Sequence, residues 1–148
     1  MTPDAFIEQW ILETLSVQSE TFNNLPPCPY AKQAWLDNRV LVVEEDIQAN
    51  YKQLLDTYEV IIYAYNPKEI SAQDLSDLAA SLSDEEIVAL DDHPDYEESV
   101  GDVVLNNGKY ALLLVQERTK LNKARQILKT KGYYDNWSPE YLKEVLSL

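Results

Sequence analysis

The chain of 148 residues is long enough to form one domain with a substantial hydrophobic core. Its 26 acidic and 12 basic residues give a formal net charge of −14, which repels nucleic-acid phosphates and argues against direct DNA or RNA binding. A hydrophobic content of 45% with only three glycines excludes a flexible low-complexity chain. The acidic balance suits a basic protein partner, a cation, or a surface that meets only water.

Cys28 is the only cysteine, so it cannot form an internal disulfide, and this favours a reducing compartment. Residues 1–6 carry no basic side chain, unlike the start of a signal peptide. No apolar run approaches the ~20 residues that are needed to cross a bilayer. We therefore expect a cytoplasmic protein without a signal peptide and without membrane contact.

The first half of the chain predicts alternating helices and strands. Apolar residues recur at helical spacing after Thr2-Pro3, which predicts a capped helix over residues 3–16. The run 58–65 is nearly all apolar or aromatic, which predicts a central strand covered on both faces. The other predicted elements are a helical turn over residues 30–36, a strand over residues 39–44 and a helix capped by Asp46.

The second half continues the alternation. Ser71 and Asp74 have the spacing of a capping box and predict a helix that ends near Leu82. Asn106-Asn107-Gly108 predicts a hairpin turn. The other predicted elements are a short buried strand over residues 87–90, a buried strand over residues 109–116, a helix with Gly132 as its C-cap and a last helix capped by Ser138.

This order of elements predicts the α/β fold class, as a small single-domain sandwich over residues 1–148. We expect a mixed sheet of about four strands with helices packed on it. The aromatic segment 133–137 is expected to dock the last helix onto the core, with a lid or a partner surface as the alternative.

A candidate site is indicated by two unique residues. Cys28 lies among three prolines, and His93 is the only histidine and lies in an acidic stretch. If the two meet, a nearby imidazolium lowers the pKa of the thiol, and Asp95 or Asp92 orients the ring, so the catalytic candidates are Cys28, His93 and Asp95. The same thiolate and imidazole, with Asp92 and Asp95, are alternatively a set of transition-metal ligands.

Three neighbouring residues are further candidates for lining such a pocket: Tyr30, Lys32 and Tyr96. Each candidate also has a structural interpretation. A free cysteine commonly acts as a small buried hydrophobe, and a lone histidine in an acidic loop is commonly ion-paired at the surface. The acidic run itself is typical of a solvated face, and its spacing does not match an EF-hand loop.

The same two segments resemble a family of uncharacterised bacterial proteins. Cys28-Pro29-Tyr30-Ala31-Lys32 is similar to the family's Cys-Pro-Phe-Ala motif, and His93-Pro94-Asp95-Tyr96 is similar to its Phe-His-Pro-Asp-Tyr motif. Asp92 stands where that family has an aromatic residue, and an Asn-Arg-Ser-Pro-Tyr-Pro run associated with it is missing. The resemblance implies a site at these segments and no particular chemistry.

Two functions follow as hypotheses. One is a small-molecule enzyme that works through the Cys28 thiolate or a bound transition metal ion. The other is a non-enzymatic acidic protein that docks a basic protein partner. The chain has no Gly-x-Gly-x-x-Gly motif, P-loop or Cys-x-x-Cys motif, which disfavours nucleotide and thioredoxin-type functions.

Overall fold

The structure, a computed structural model, describes residues 1–146. Within them the helices are α1 (Pro3–Trp10), α2 (Ala31–Leu36), α3 (Tyr51–Leu54), α4 (Ala72–Leu82), α5 (Arg118–Thr130) and α6 (Pro139–Leu146). The strands are β1 (Val40–Val43), β2 (Val60–Tyr65), β3 (Ile87–Asp92), β4 (Ser99–Val100), β5 (Val103–Val104) and β6 (Ala111–Glu117). None of these helices is long and apolar enough to cross a membrane.

Four of the strands form one sheet in the order β1-β2-β6-β3. Strands β1 and β2 are parallel and are joined through α3, whereas β6 runs antiparallel to both of its neighbours. The predicted α/β class with a four-stranded mixed sheet and packed helices is confirmed. The two most apolar runs, β2 and β6, occupy the central positions, where both faces are covered.

Both faces of the sheet are buried, because successive side chains of a strand point to opposite sides. One face, the α4 face, packs under α3 and α4 with these buried residues: Leu55, Ile61, Tyr63, Leu75, Ala79, Ile87, Ala89, Ala111, Leu113 and Val115. The other, the α1 face, packs under α1 and its extension with Ile7, Ile11, Ile62, Ala64 and Leu112. The predicted central strand over residues 58–65 is therefore confirmed.

Three helix starts predicted from capping residues are confirmed. The Thr2 hydroxyl oxygen accepts the Ala5 N–H at 3.2 Å, and the Ser71 hydroxyl oxygen accepts the Asp74 N–H at 3.1 Å. Ser138 caps α6 in the same way. Each side chain satisfies a backbone donor that the first turn leaves unpaired. Helix α1 then continues as a π-helical turn (Ile11–Leu15), so the predicted helical segment 3–16 is also confirmed.

Two local predictions are wrong, and in both the polar side chain has another partner. The Asp46 carboxylate accepts the Tyr65 hydroxyl at 2.7 Å instead of capping a helix, and α3 is only four residues long. The Asn106-Asn107-Gly108 turn joins no hairpin, because β5 pairs with β4 and not with β6. The Asn107 side chain instead donates to the Asp92 carboxylate at 2.9 Å.

A third cluster of buried residues lies where α5 and α6 meet the segment around Phe22. It contains Phe22, Val100, Leu128, Tyr133 and Tyr134, with Trp137 and Tyr141 packed against it. Phe22 belongs to a 3-10 turn (Glu20–Phe22). The expectation that segment 133–137 docks onto the core is confirmed.

Candidate functional site

The structure does not bring Cys28 and His93 together. The backbone N–H of Cys28 donates to the Leu15 carbonyl at 2.8 Å, and Cys28 lines a cavity with Ile62 on the α1 face. His93 follows β3, and its Nε2 lies 2.7 Å from the carbonyl oxygen of Ile70, which packs against the α4 face. The contacts of the two residues thus belong to opposite faces of the sheet, and His93 does not line the cavity of Cys28, so the shared cavity suggested by the sequence is not formed.

His93 is held as a structural bridge. Its side chain is 2% exposed; Nδ1 accepts the Asp95 N–H at 3.0 Å, and Nε2 donates to the Ile70 carbonyl. The Asp95 carboxylate lies 3.8 Å from Nδ1, but its side chain is 80% exposed. Because both ring nitrogens have backbone partners, the ring connects the end of β3 to the segment before α4.

The four predicted metal ligands, Cys28, Asp92, His93 and Asp95, are not assembled either. The Asp92 carboxylate accepts two hydrogen bonds from Asn107, one from the backbone and one from the side chain. Across residues 1–146, no group of three or more His, Cys, Asp or Glu side chains is arranged to hold a metal ion. The alternation of strand β3 contributes to this, since neighbouring residues point to opposite faces.

A cavity of about 600 Å³ opens on the α1 face of the sheet. Its lining is mainly apolar and comes from the sheet, from α5, from the proline segment (residues 26–29) and from the aromatic cluster around Tyr133, Tyr134 and Trp137. Further lining residues are Trp10, Ile62, Leu90, Leu114, Leu121 and Ala124. A volume of several hundred Å³ with mostly apolar walls is typical of small-molecule sites. The cavity is therefore the candidate functional site.

Two of the predicted site residues, Cys28 and Tyr30, line this cavity. Cys28 is half-buried, and burial raises the pKa of its thiol even though hydrogen bonds from the backbone of Ala31 and Tyr30 act in the opposite direction. The thiol form is therefore favoured over the thiolate. Lys32 and Tyr96 are exposed and lie outside the cavity wall.

The aromatic wall of the cavity comes from segment 133–137, for which the sequence predicts docking of the last helix, with a lid or a partner surface only as the alternative. Tyr133, Tyr134 and Trp137 line it, and the Tyr133 hydroxyl donates to the carbonyl oxygen of Pro27. This hydrogen bond ties the proline segment to the loop between α5 and α6. Burial raises the pKa of Tyr133 far above its ordinary value, so the phenol stays neutral and acts as a donor.

Arg125 is a second lining residue that the sequence did not single out. It is 8% exposed, and its Nη1 has no hydrogen-bond partner among the described residues. Burial lowers the pKa of the guanidinium; the neighbouring Tyr134 acts in the opposite direction, and the charge of Arg118 adds to the lowering. Its helical spacing could have indicated that it is buried, because Arg125 lies four residues after Leu121 and three before Leu128, on the apolar side of α5.

The acidic stretch contributes a group of partly buried carboxyls instead of a metal site. Burial raises the pKa values of Asp91 and Asp92. Burial, and then the charges of Asp92 and Asp91, raise the pKa of Glu98 to about 7. The Tyr141 hydroxyl donates to Glu98 Oε2 at 3.4 Å, which links this group to α6.

Glu98 is expected to make stability depend on pH. Its pKa is about 7 when folded, against an ordinary value of 4.5, so between these values the unfolded state loses the proton first and stability falls as pH rises. We expect the free energy of unfolding to fall by about 1–2 kcal/mol between about pH 5 and pH 8, reduced from the full linkage value by partial exposure. Urea unfolding across this range measures it.

Glu98→Gln is expected to flatten this dependence and to stabilise the protein at the upper end of the range. Glu97→Gln is the matched control, because Glu97 is exposed in the same loop. The pKa values of Asp91 and Asp92 are also raised, so these two residues make the free energy of unfolding fall with rising pH in both variants. Equal curves for Glu98→Gln and the unaltered protein would contradict the assignment.

Comparison of the chain with protein-family models, with curated proteins and with solved structures gave no match. The resemblance of the Cys28 and His93 segments to a bacterial family therefore stays a prediction. A functional proposal for this chain rests on the geometry of its own residues, and above all on the cavity of the α1 face.

Proposed function

We propose that this protein binds a small, largely apolar molecule in the cavity of the α1 face. The observation that carries the proposal is the cavity itself, about 600 Å³ in volume and lined mainly by aliphatic and aromatic side chains. The cavity is open to solvent on one side, and its lining includes the exposed residues Tyr30 and Ile127. A concave and mostly apolar surface of this size is the usual form of a small-molecule site.

The walls of the cavity are held in place, as a binding site requires. The Tyr133 hydroxyl binds the Pro27 carbonyl on one side, and the Cys28 N–H binds the Leu15 carbonyl on another. The prolines on either side of Cys28 restrict the backbone further. Because the walls are already ordered, binding loses little conformational entropy, which favours affinity.

An uncharged fluorescent probe tests the proposal. N-phenyl-1-naphthylamine is expected to bind the protein with increased emission, since it moves from water into an apolar site. Ala124→Phe places a phenyl ring on the cavity wall and is expected to weaken probe binding about tenfold or more, because it fills part of the volume. Fluorescence titration measures both effects.

The matched control is Ala80→Phe, which adds the same ring to an exposed position on α4, across the sheet. It is expected to leave probe binding unchanged. A second readout needs no variant: the probe should slow the alkylation of Cys28, the only thiol of the chain. Absence of binding, or equal binding by both variants with no protection of the thiol, would contradict the proposal.

A thiolate-dependent reaction is the second candidate, because Cys28 lies on the wall of the same cavity. Its raised thiol pKa disfavours it, since a thiol reacts as the thiolate. The metal-dependent version of this enzyme has no assembled ligand group within the described chain. The alternative hypothesis, an acidic protein that docks a basic protein partner, is supported only by the net charge of −14.

A further inference from the structure

Arg125 is a buried cation that meets no counter-charge among residues 1–146. It is 8% exposed, its Nη1 lacks a hydrogen-bond partner, and no Asp or Glu within the described part of the chain forms an ion pair with it. The protein carries 26 acidic residues, so an arginine that meets none of them is unusual. Buried charges in proteins are normally paired, because desolvation of an isolated charge is costly.

The position of Arg125 suggests what compensates its positive charge. The side chain lines the apolar cavity, next to Tyr134, whose raised pKa keeps the phenol neutral. Two other cations around the cavity are already paired: Lys120 lies 3.3 Å from Glu117, and Arg39 forms an ion pair with Glu59, while Lys123 is exposed to water. Arg125 is thus the buried charge of this wall that a ligand can neutralise.

We propose that the ligand is an amphiphilic monoanion, an aliphatic or aromatic acid whose carboxylate binds Arg125 and whose apolar part fills the cavity. This inference rests on the proposed function and adds the chemical class of the ligand. A guanidinium presents a planar fork of donors that matches a carboxylate, and the pair is stronger away from water. Lys123, exposed on the same wall, adds positive charge locally.

The overall charge of the protein makes the expected difference between an anionic and an uncharged ligand informative. A net charge of −14 repels anions from most of the surface, so a monoanion gains affinity only where cations are concentrated. The inference therefore predicts that an acid binds more tightly than the alcohol with the same chain. A purely apolar site in a protein of this charge would show the opposite order.

Displacement of N-phenyl-1-naphthylamine by decanoate and by decan-1-ol tests the inference at neutral pH. Decanoate is expected to bind more tightly than decan-1-ol. Arg125→Met should weaken decanoate binding about 10- to 100-fold and change decan-1-ol binding much less, because it removes charge-assisted hydrogen bonds and keeps an unbranched apolar side chain on the wall. Lys129→Met is the matched control, since Lys129 is an exposed cation of α5 outside the cavity wall.

The outcomes separate this inference from the proposed function. Equal affinities of acid and alcohol, or equal losses of decanoate binding in the Arg125→Met and Lys129→Met variants, would overturn the anionic ligand while the cavity site stands. Failure of the probe and of both ligands to bind would overturn the proposed function and the inference with it. Urea unfolding of Arg125→Met is expected to show no loss of stability, because an unpaired buried charge is removed.

Discussion

Phe22→Ala is expected to lower the free energy of unfolding by about 3–5 kcal/mol. Phe22 is fully buried, and its ring lies 5.1 Å from that of Tyr133 and 5.9 Å from that of Trp137, measured between centroids. Truncation removes apolar burial and leaves a void between rings that other contacts hold in place. Urea unfolding followed by tryptophan fluorescence measures the loss.

Phe6→Ala is the matched control, because Phe6 is the only other phenylalanine of the chain. It is half-buried and makes one edge-to-face contact, with Tyr110 at 5.5 Å, so we expect a loss of about 1 kcal/mol. Because Tyr133 also holds the Pro27 carbonyl, Phe22→Ala should weaken probe binding as well. Equal losses of stability in the two variants would show that the aromatic cluster does not anchor the fold.

The fold was predictable because its signals are local. Helix starts at Thr2, Ser71 and Ser138 depend on hydrogen bonds that span three residues, and the sequence displays that spacing directly. Strands β2 and β6 are continuous apolar runs, and such runs identify buried central strands. The two local predictions that failed concern Asp46 and Asn107, because their side chains bind residues of strands that are distant in the sequence.

The candidate site was harder to predict because it depends on contacts between distant segments. Phe22 is one aromatic residue in a polar stretch, without periodicity, and its burial requires Tyr133. Arg125 looks like another cation of a basic helix until the apolar spacing around it is counted. Cys28 and His93 were conspicuous as unique residues, yet uniqueness in a sequence carries no information about which face of a sheet each one occupies.

His93→Ala is expected to cost about 2–4 kcal/mol of stability, although the residue stands in a stretch that the sequence indicates only as a candidate site. The ring is 2% exposed and binds two backbone groups, the Ile70 carbonyl and the Asp95 N–H. Its loss leaves a void and removes both hydrogen bonds. Asp95→Ala should change stability by no more than about 0.5 kcal/mol, because its side chain is 80% exposed and its backbone N–H is retained.

The reactivity of Cys28 separates this structural role from a catalytic one. If His93 activated the thiol, its removal would raise the thiol pKa and slow alkylation at neutral pH. The contacts of the two residues belong to opposite faces of the sheet, so we expect the pH profile of alkylation to be the same in native His93→Ala as in the unaltered protein. A slower reaction with an upward-shifted profile would instead mean that the imidazole reaches the sulfur, which the positions of Ile70 and Leu15 on opposite faces do not allow.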